Sequence, residues 1–296
     1  MREREQTYAT NYAELTEIRA DDPAAVARVW SARLTRPAVR GDGRLMIVAA
    51  DHPARGALAV GDRPTAMNSR TDLLDRLRTS LVHPGVDGVL ATSDILDDLA
   101  LLGALEDKVV ISSMNRGGLA GASFELDDRM TGAAAAATAR AGMNGAKMLC
   151  RVDLQDPGTL SMLTECARAV DELAEHGLMA MLEPFMSRRV DGTVRNDLSP
   201  DAVIKSIHIC QGLGSTSAYT WMKLPVVDEM ERVMDATTLP TLLLGGDPTD
   251  ADATFASWAK ALALPSVRGL VVGRTLLYPA DDNVCAAVQT AVSLVR

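Results

Sequence analysis

Lys147 and Lys223 stand where an ammonium is expensive to keep. They are two of only five lysines among the 30 basic residues of the 296-residue chain. One sits in Gly145-Ala146-Lys147-Met148-Leu149-Cys150 and the other in Thr220-Trp221-Met222-Lys223-Leu224-Pro225, both flanked by apolar residues. A lysine desolvated in such a run, with a second ammonium nearby, loses its proton readily, and the neutral amine can attack a carbonyl. Schiff-base chemistry has that requirement. Taken singly, each lysine fits equally well as a rim ammonium on its aliphatic stem or as a structural partner for a carboxylate.

Two carboxylates tip the balance toward chemistry. Glu183 closes Met179-Ala180-Met181-Leu182-Glu183-Pro184, where two-residue alternation puts it on one side with Met179 and Met181. Forming and dehydrating a carbinolamine needs an acid and a base within hydrogen-bond reach, a task suited to Glu183. Asp51 closes Leu45-Met46-Ile47-Val48-Ala49-Ala50, where an unpaired carboxylate is costly unless it serves a ligand or a lysine. Leu244-Gly245-Gly246-Asp247 and Val272-Gly273-Arg274 have the glycines that let backbone N–H groups approach a phosphate, with Arg274 as an adjacent cation. Asn115, Arg151 and Asp153 are further polar candidates for substrate contact at strand ends. Of the four histidines, His52, His83, His176 and His208, only His52 falls near these ends, and they show no metal-ligand spacing. No metal and no cofactor are expected; Walker and nucleophile-elbow motifs are absent.

The elements that must position these residues are legible as a repeat. Short apolar runs at 45–50, 87–92, 109–113, 146–152, 178–182, 219–222, 241–244 and 269–272 predict eight strands, starting about every 32 residues. Amphipathic helices are predicted between and after them at 71–81, 94–105, 128–141, 158–176, 200–211, 226–235, 250–263 and 282–295. Strand then helix, eight times, predicts an α/β fold of the (β/α)8 TIM-barrel class over 44–296. A doubly wound open sheet is the alternative, but the glycine-rich turn it favours after the first strand is replaced by Asp51-His52-Pro53-Ala54-Arg55-Gly56. Residues 1–43 read as an N-terminal helical extension, with Asp22-Pro23 opening a helix. That extension either closes the bottom of the barrel or makes a subunit contact.

Composition narrows the partners. The formal charge is −9 and aromatic residues make up 3% of the chain, which argues against nucleic acid. No apolar run is long enough for a bilayer span, and Met1-Arg2-Glu3-Arg4-Glu5 has no apolar signal core, so no membrane association is expected. Cys150, Cys166, Cys210 and Cys285 are scattered among apolar residues, as reduced thiols of a cytoplasmic protein would be. A homo-oligomer is expected.

The set Asp51, Lys147, Glu183 and Lys223 resembles that of the class I aldolases of the deoxyribose-phosphate aldolase and tagatose-bisphosphate aldolase superfamily, over most of 44–296. The pieces that carry the resemblance are Ala49-Ala50-Asp51-His52, Lys147 through Arg151-Val152-Asp153, Leu182-Glu183-Pro184, Lys223-Leu224-Pro225 and Gly273-Arg274. It implies that Lys223 forms the Schiff base, that Lys147 and Glu183 assist, and that Gly273 and Arg274 hold phosphate. The chain departs from the pattern in its N-terminal extension and at Asp51-His52-Pro53, where related chains often have glutamine or glycine near the carboxylate. It looks closest to an actinobacterial inositol-catabolism branch, which implies a 2-deoxy-5-keto-gluconate 6-phosphate type of substrate giving dihydroxyacetone phosphate. The residues themselves do not separate that compound from a ketose bisphosphate or deoxyribose phosphate.

The expected activity is reversible, metal-independent aldol cleavage of a phosphorylated keto sugar or deoxy-keto sugar acid. Lys223 is the nucleophile, Glu183 the acid, Asp51 the acceptor of the hydroxyl proton and Lys147 the holder of substrate oxygen. Phosphate falls to Gly245, Gly246, Gly273 and Arg274. The alternatives are a Schiff-base condensing or acyl-transfer enzyme on the same barrel, and a non-catalytic sugar-phosphate-binding regulator.

Overall fold

The computed structural model describes residues 8–245 and 251–296. Nine strands form one sheet: β1 Leu45–Ala50, β2 Gly88–Ala91, β3 Val109–Ser113, β4 Gly145–Val152, β5 Met179–Val190, β6 Thr193–Asp197, β7 Thr220–Pro225, β8 Thr241–Leu244 and β9 Val267–Val272. Eight of them are parallel, in the order β4-β3-β2-β1-β9-β8-β7-β5, and a β4–β5 pairing closes the ring. The open-sheet alternative is thereby excluded, and the fold is a (β/α)8 barrel. β6 lies outside the ring, antiparallel to β5.

The strands are apolar on both parities because both faces are covered. Leu45, Ile47, Leu90, Val109, Ile111, Met179, Met181, Leu242 and Val271 fill the barrel interior. Met46, Val48, Val89, Val110 and Met148 belong to the outer layer under the helices. Gly269 lets β1 and β9 close together: a Cβ there would lie 1.9 Å from the Leu45 carbonyl oxygen, and its φ of +128° disfavours any side chain.

The helices are α1 Tyr12–Asp21, α2 Ala24–Ala32, α3 Arg70–Val82, α4 Ser93–Leu101, α5 Ala135–Arg140, α6 Gly158–Glu175, α7 Pro200–Gln211, α8 Met230–Met234, α9 Ala251–Leu262, α10 Arg274–Leu277 and α11 Val284–Val295. Two predicted helices are much shorter than expected. The one at 128–141 is reduced to α5, because Asp128 is drawn into the preceding loop, where it accepts from the Gly118 N–H and pairs with Arg55 at 2.6 Å. The one at 226–235 is reduced to α8. The predicted start at Asp250 lies outside the described residues.

β5 continues eight residues past Leu182 and returns as β6 through Asp191-Gly192, with φ of +50° and +78°. Two left-handed residues suit the tight turn of a right-twisted hairpin.

In the N-terminal extension α1 and α2 pack beside α4, and the segment that follows α2 passes under the barrel. The Trp30 indole donates to Asp97 on α4 at 2.7 Å. The Arg33 guanidinium, 5% exposed, donates to the carbonyls of Leu105, Lys108 and Gly142. Arg36 pairs with Asp87, and Ala38 packs against the interior cluster. Arg296, at the other end of the described chain, meets the same Asp87. Among the described residues, no helix is long and apolar enough to cross a membrane.

Candidate active site

The interior register of the strands delivers the chemistry to the carboxyl-terminal mouth of the barrel. Asp51 follows Ala49 by two residues, Glu183 follows Met181, and Lys223 follows Trp221, so each points inward above an apolar layer. Lys147 enters from β4 in register with Ser113 and Met181.

The four side chains form a line of alternating charge. Lys147 Nζ lies 3.1 Å from Asp51 Oδ2 and is also paired with Glu183 Oε2, while Glu183 Oε1 is 2.9 Å from Lys223 Nζ. Asp51, Lys147 and Lys223 are 2–3% exposed, and Glu183 is 8% exposed. Burial pushes the Lys223 amine below its usual range and the Lys147 ammonium adds to that, against the pull of Glu183. For Glu183, burial works upward, but the two ammoniums outweigh it and hold the carboxyl down at about 2. Asp51 is likewise held well below the usual carboxylate range: Lys147, Arg116 and Lys223 together overcome the effect of its burial.

Asp51 is heavily committed. Its Oδ2 accepts from Lys147, from Arg116 Nη1 at 3.1 Å and from Ser113 Oγ at 3.2 Å. Arg116 Nη2 also donates to its backbone carbonyl. A carboxylate with three donors on one oxygen is a poor proton acceptor. The pairing with Arg116, 65 positions away, has no local signal in the sequence.

A cavity of about 510 Å³ opens above this line. Of the residues expected to bind substrate, Arg151, Gly245, Gly273 and Arg274 line it. Gly273 is a close approach, since a Cβ would meet the Ala49 carbonyl oxygen at 2.5 Å. Arg151 enters from β4 and is braced by Glu125, through its carboxylate and its carbonyl.

Two expected residues are not brought to the cavity. Asn115 is fully buried, and its amide exchanges hydrogen bonds with the Leu149 backbone, Nδ2 to the carbonyl at 2.6 Å and Oδ1 from the N–H at 2.8 Å. Asp153 shapes the turn into α6, accepting from the Gln155 N–H while its own N–H and carbonyl bond the Thr159 hydroxyl. Both are struts of the loops around the site. Gly246 lies outside the described residues. In their place the hairpin supplies Phe185 and Asn196, followed by Leu198, as a wall of the cavity. The Val190-Asp191-Gly192-Thr193 run was its signal in the sequence. Among the described residues, no group of three or more His, Cys, Asp or Glu side chains is arranged to hold a metal ion.

No curated protein sequence matches the chain. The crystal structure of Cgl0159 from Corynebacterium glutamicum is 59% identical, each chain covering 96% of the other, with a TM-score of 0.94. At much lower identity the fold is shared with a Schiff-base-forming fructose-1,6-bisphosphate aldolase (16% identity, 92% and 100% coverage, TM-score 0.63). It is shared as well with an archaeal fructose-1,6-bisphosphate aldolase solved with its catalytic lysine covalently bound to the carbinolamine intermediate (15%, 91% and 99%, 0.65). The Cgl0159-like family model matches residues 43–292, from just before β1 to within α11, and the chain therefore belongs to the Cgl0159-like family.

Proposed function

We propose that this protein is a Schiff-base aldolase that reversibly cleaves a phosphorylated keto sugar or deoxy-keto sugar acid. The observation that carries the reading is the Lys147–Glu183–Lys223 bridge, buried at the floor of an open cavity. The shared fold with two aldolases, one named as Schiff-base forming and one caught with its lysine on the carbinolamine, agrees with it.

Lys223 is the nucleophile. Its depressed pKa makes the neutral amine accessible, and Glu183 Oε1 at 2.9 Å is placed to receive the departing proton. The amine adds to the substrate carbonyl to give a carbinolamine. Glu183 returns the proton to the new hydroxyl, which leaves as water, so the iminium forms with no net proton change. The iminium withdraws electrons, the carbon–carbon bond beside it breaks, and an enamine remains on Lys223. Protonation and hydrolysis then release the second product. Lys147, fixed by Asp51 and Glu183, keeps Lys223 from holding its proton and offers an ammonium to substrate oxygen. Gly245, Gly273 and Arg274 on the opposite wall are the proposed phosphate holders. A 2-deoxy-5-keto-gluconate 6-phosphate type of substrate and a homo-oligomeric state extend this reading.

Borohydride trapping tests it. The protein is incubated with dihydroxyacetone phosphate and a panel of keto-sugar phosphates, reduced, and mapped by peptide mass spectrometry. The expected result is a reduced adduct on Lys223 and none in Lys223→Ala, which also loses turnover. An adduct on Lys147 would exchange the roles of the two lysines. Ligand binding with no adduct on either would replace the aldolase by a sugar-phosphate-binding barrel.

A further inference from the structure

The two carboxylates at the floor leave one step without an agent. Retro-aldol cleavage needs a group that takes the proton from the hydroxyl on the departing carbon and later delivers one to the enamine. Glu183 is clasped between two ammoniums, and Asp51 Oδ2 already accepts from a lysine, an arginine and a serine. Glu183 already carries the proton of carbinolamine formation, and Asp51 is held well below the usual carboxylate range by Lys147, Arg116 and Lys223, so neither offers a lone pair reserved for this step.

His52 does. It lines the same cavity, and its side chain is 31% exposed, while Nδ1 is buried and has no hydrogen-bond partner. That nitrogen sits 3.8 Å from Asp51 Oδ1, the carboxylate oxygen not engaged by Lys147 or Arg116. A small ring movement makes Nδ1–H donate to Asp51, which fixes the tautomer and leaves the Nε2 lone pair for a ligand, the arrangement by which a carboxylate orients a catalytic imidazole. The ring is preorganised by its backbone. His52 is helical (φ −63°, ψ −42°) and leads into the 3-10 turn Pro53–Arg55, whose Arg55 N–H bonds the His52 carbonyl at 3.0 Å. Arg55 is itself anchored to Asp128 and to the carbonyls of Asn115 and Gly118.

We propose that His52 is the proton carrier of carbon–carbon bond cleavage, its imidazole accepting the proton of the substrate hydroxyl and returning it to the enamine carbon. This rests on the aldolase reading above. In the step, the O–H electron pair becomes the second bond of the released aldehyde. The breaking carbon–carbon pair moves into the iminium to form the enamine, and the proton resides on His52 as imidazolium beside Asp51. After the aldehyde leaves, the enamine carbon takes that proton, the iminium is restored and water hydrolyses it. His52 ends neutral, and nothing is oxidised or reduced. Burial, abetted by the Arg274 and Lys223 cations and opposed by Asp51 and Glu183, pushes its pKa down to about 3, so the resting ring is unprotonated but, without substrate, only weakly basic. A substrate phosphate would offset Arg274, and Asp51 would balance the charge as the proton arrives.

The test uses dihydroxyacetone phosphate with wild type, His52→Gln and Asp51→Asn, and two readouts: borohydride trapping on Lys223 and solvent-deuterium exchange at the carbon beside the carbonyl. The exchange requires removal and return of a proton at the enamine. His52→Gln is expected to keep the trapped adduct within about threefold of wild type and to lose exchange by about a hundredfold to ten-thousandfold. His52→Ala with added imidazole should recover part of the exchange, which a purely structural defect would not. Exchange that survives in His52→Gln but disappears in Asp51→Asn would make Asp51 the carrier and overturn the proposal. Loss of adduct and exchange together in His52→Gln would make His52 a binding residue and overturn it equally. A wild type that forms no adduct at all would refute the aldolase reading first, and the His52 role with it.

Discussion

At the scale of single residues, the site is an alternating chain of buried charges, and its members set one another's proton affinity. Breaking one buried partner is costly because the other charge stays desolvated. Lys147→Met keeps the volume and apolar stem but removes an ammonium that depresses Lys223 and leaves Glu183 to pair with Lys223 alone. Both changes raise the Lys223 pKa, so less neutral amine exists at pH 7. The expected outcome is slower borohydride trapping near neutrality, with the rate-versus-pH curve displaced to higher pH. An unchanged curve would mean that Lys147 does not tune Lys223. Asp51, Lys147, Glu183 and Lys223 were legible because strand alternation alone says which residues face inward. Arg116 and Ser113 were not legible as partners of Asp51, since that pairing is made across the barrel mouth and leaves no spacing to read. Asn115 looked like a substrate ligand for a similar reason: a polar residue at a strand end reads the same whether it faces a cavity or clamps the neighbouring backbone.

At the scale of elements, the β5–β6 hairpin is the part that departs from a plain barrel. Arg189 ties it to the loop after β3, donating to the carbonyls of Ala122 and Ser123, and it lies 3.7 Å from Asp156 in the loop after β4. Phe185 and Asn196 are thereby held against the cavity while the apex stays in solvent. Arg189→Ala frees the wall without touching the lysines. It should raise KM severalfold with kcat nearly constant and leave the thermal unfolding midpoint within a few degrees, as steady-state kinetics and calorimetry would show. The eight barrel strands were readable because each is a short apolar run bounded by turn residues. The extension of β5 shows only in the Asp191-Gly192 turn, because its outer half carries Arg188 and Arg189 side by side and is stabilised by pairing with β6 rather than by burial.

At the scale of the whole molecule, the barrel is sealed at the bottom by residues that precede it. The sequence left the extension between a bottom seal and a subunit contact, because a helix pair with one apolar stripe suits either. Arg33 ties the segment after α2 to the underside by donating to three carbonyls there, a contact compatible with either role of the helices before it. Arg33→Ala would remove a buried donor from those carbonyls, of which Leu105 keeps the Lys108 N–H, and is expected to cost about 2–4 kcal/mol, read as a lower urea midpoint, with little change in trapping on Lys223 at temperatures where the protein stays folded.

Closure itself has a consequence for synthesis. β1 pairs with β2 on one side and with β9 on the other, so its second edge has no partner until residues 267–272 have been made. At about 5–20 residues per second, a ribosome leaves that edge open for roughly ten to forty seconds. During that interval Asp51, Lys147, Glu183 and Lys223 have no closed ring to desolvate them. The buried setting of the two lysines is therefore something the chain acquires last, when its final strand docks.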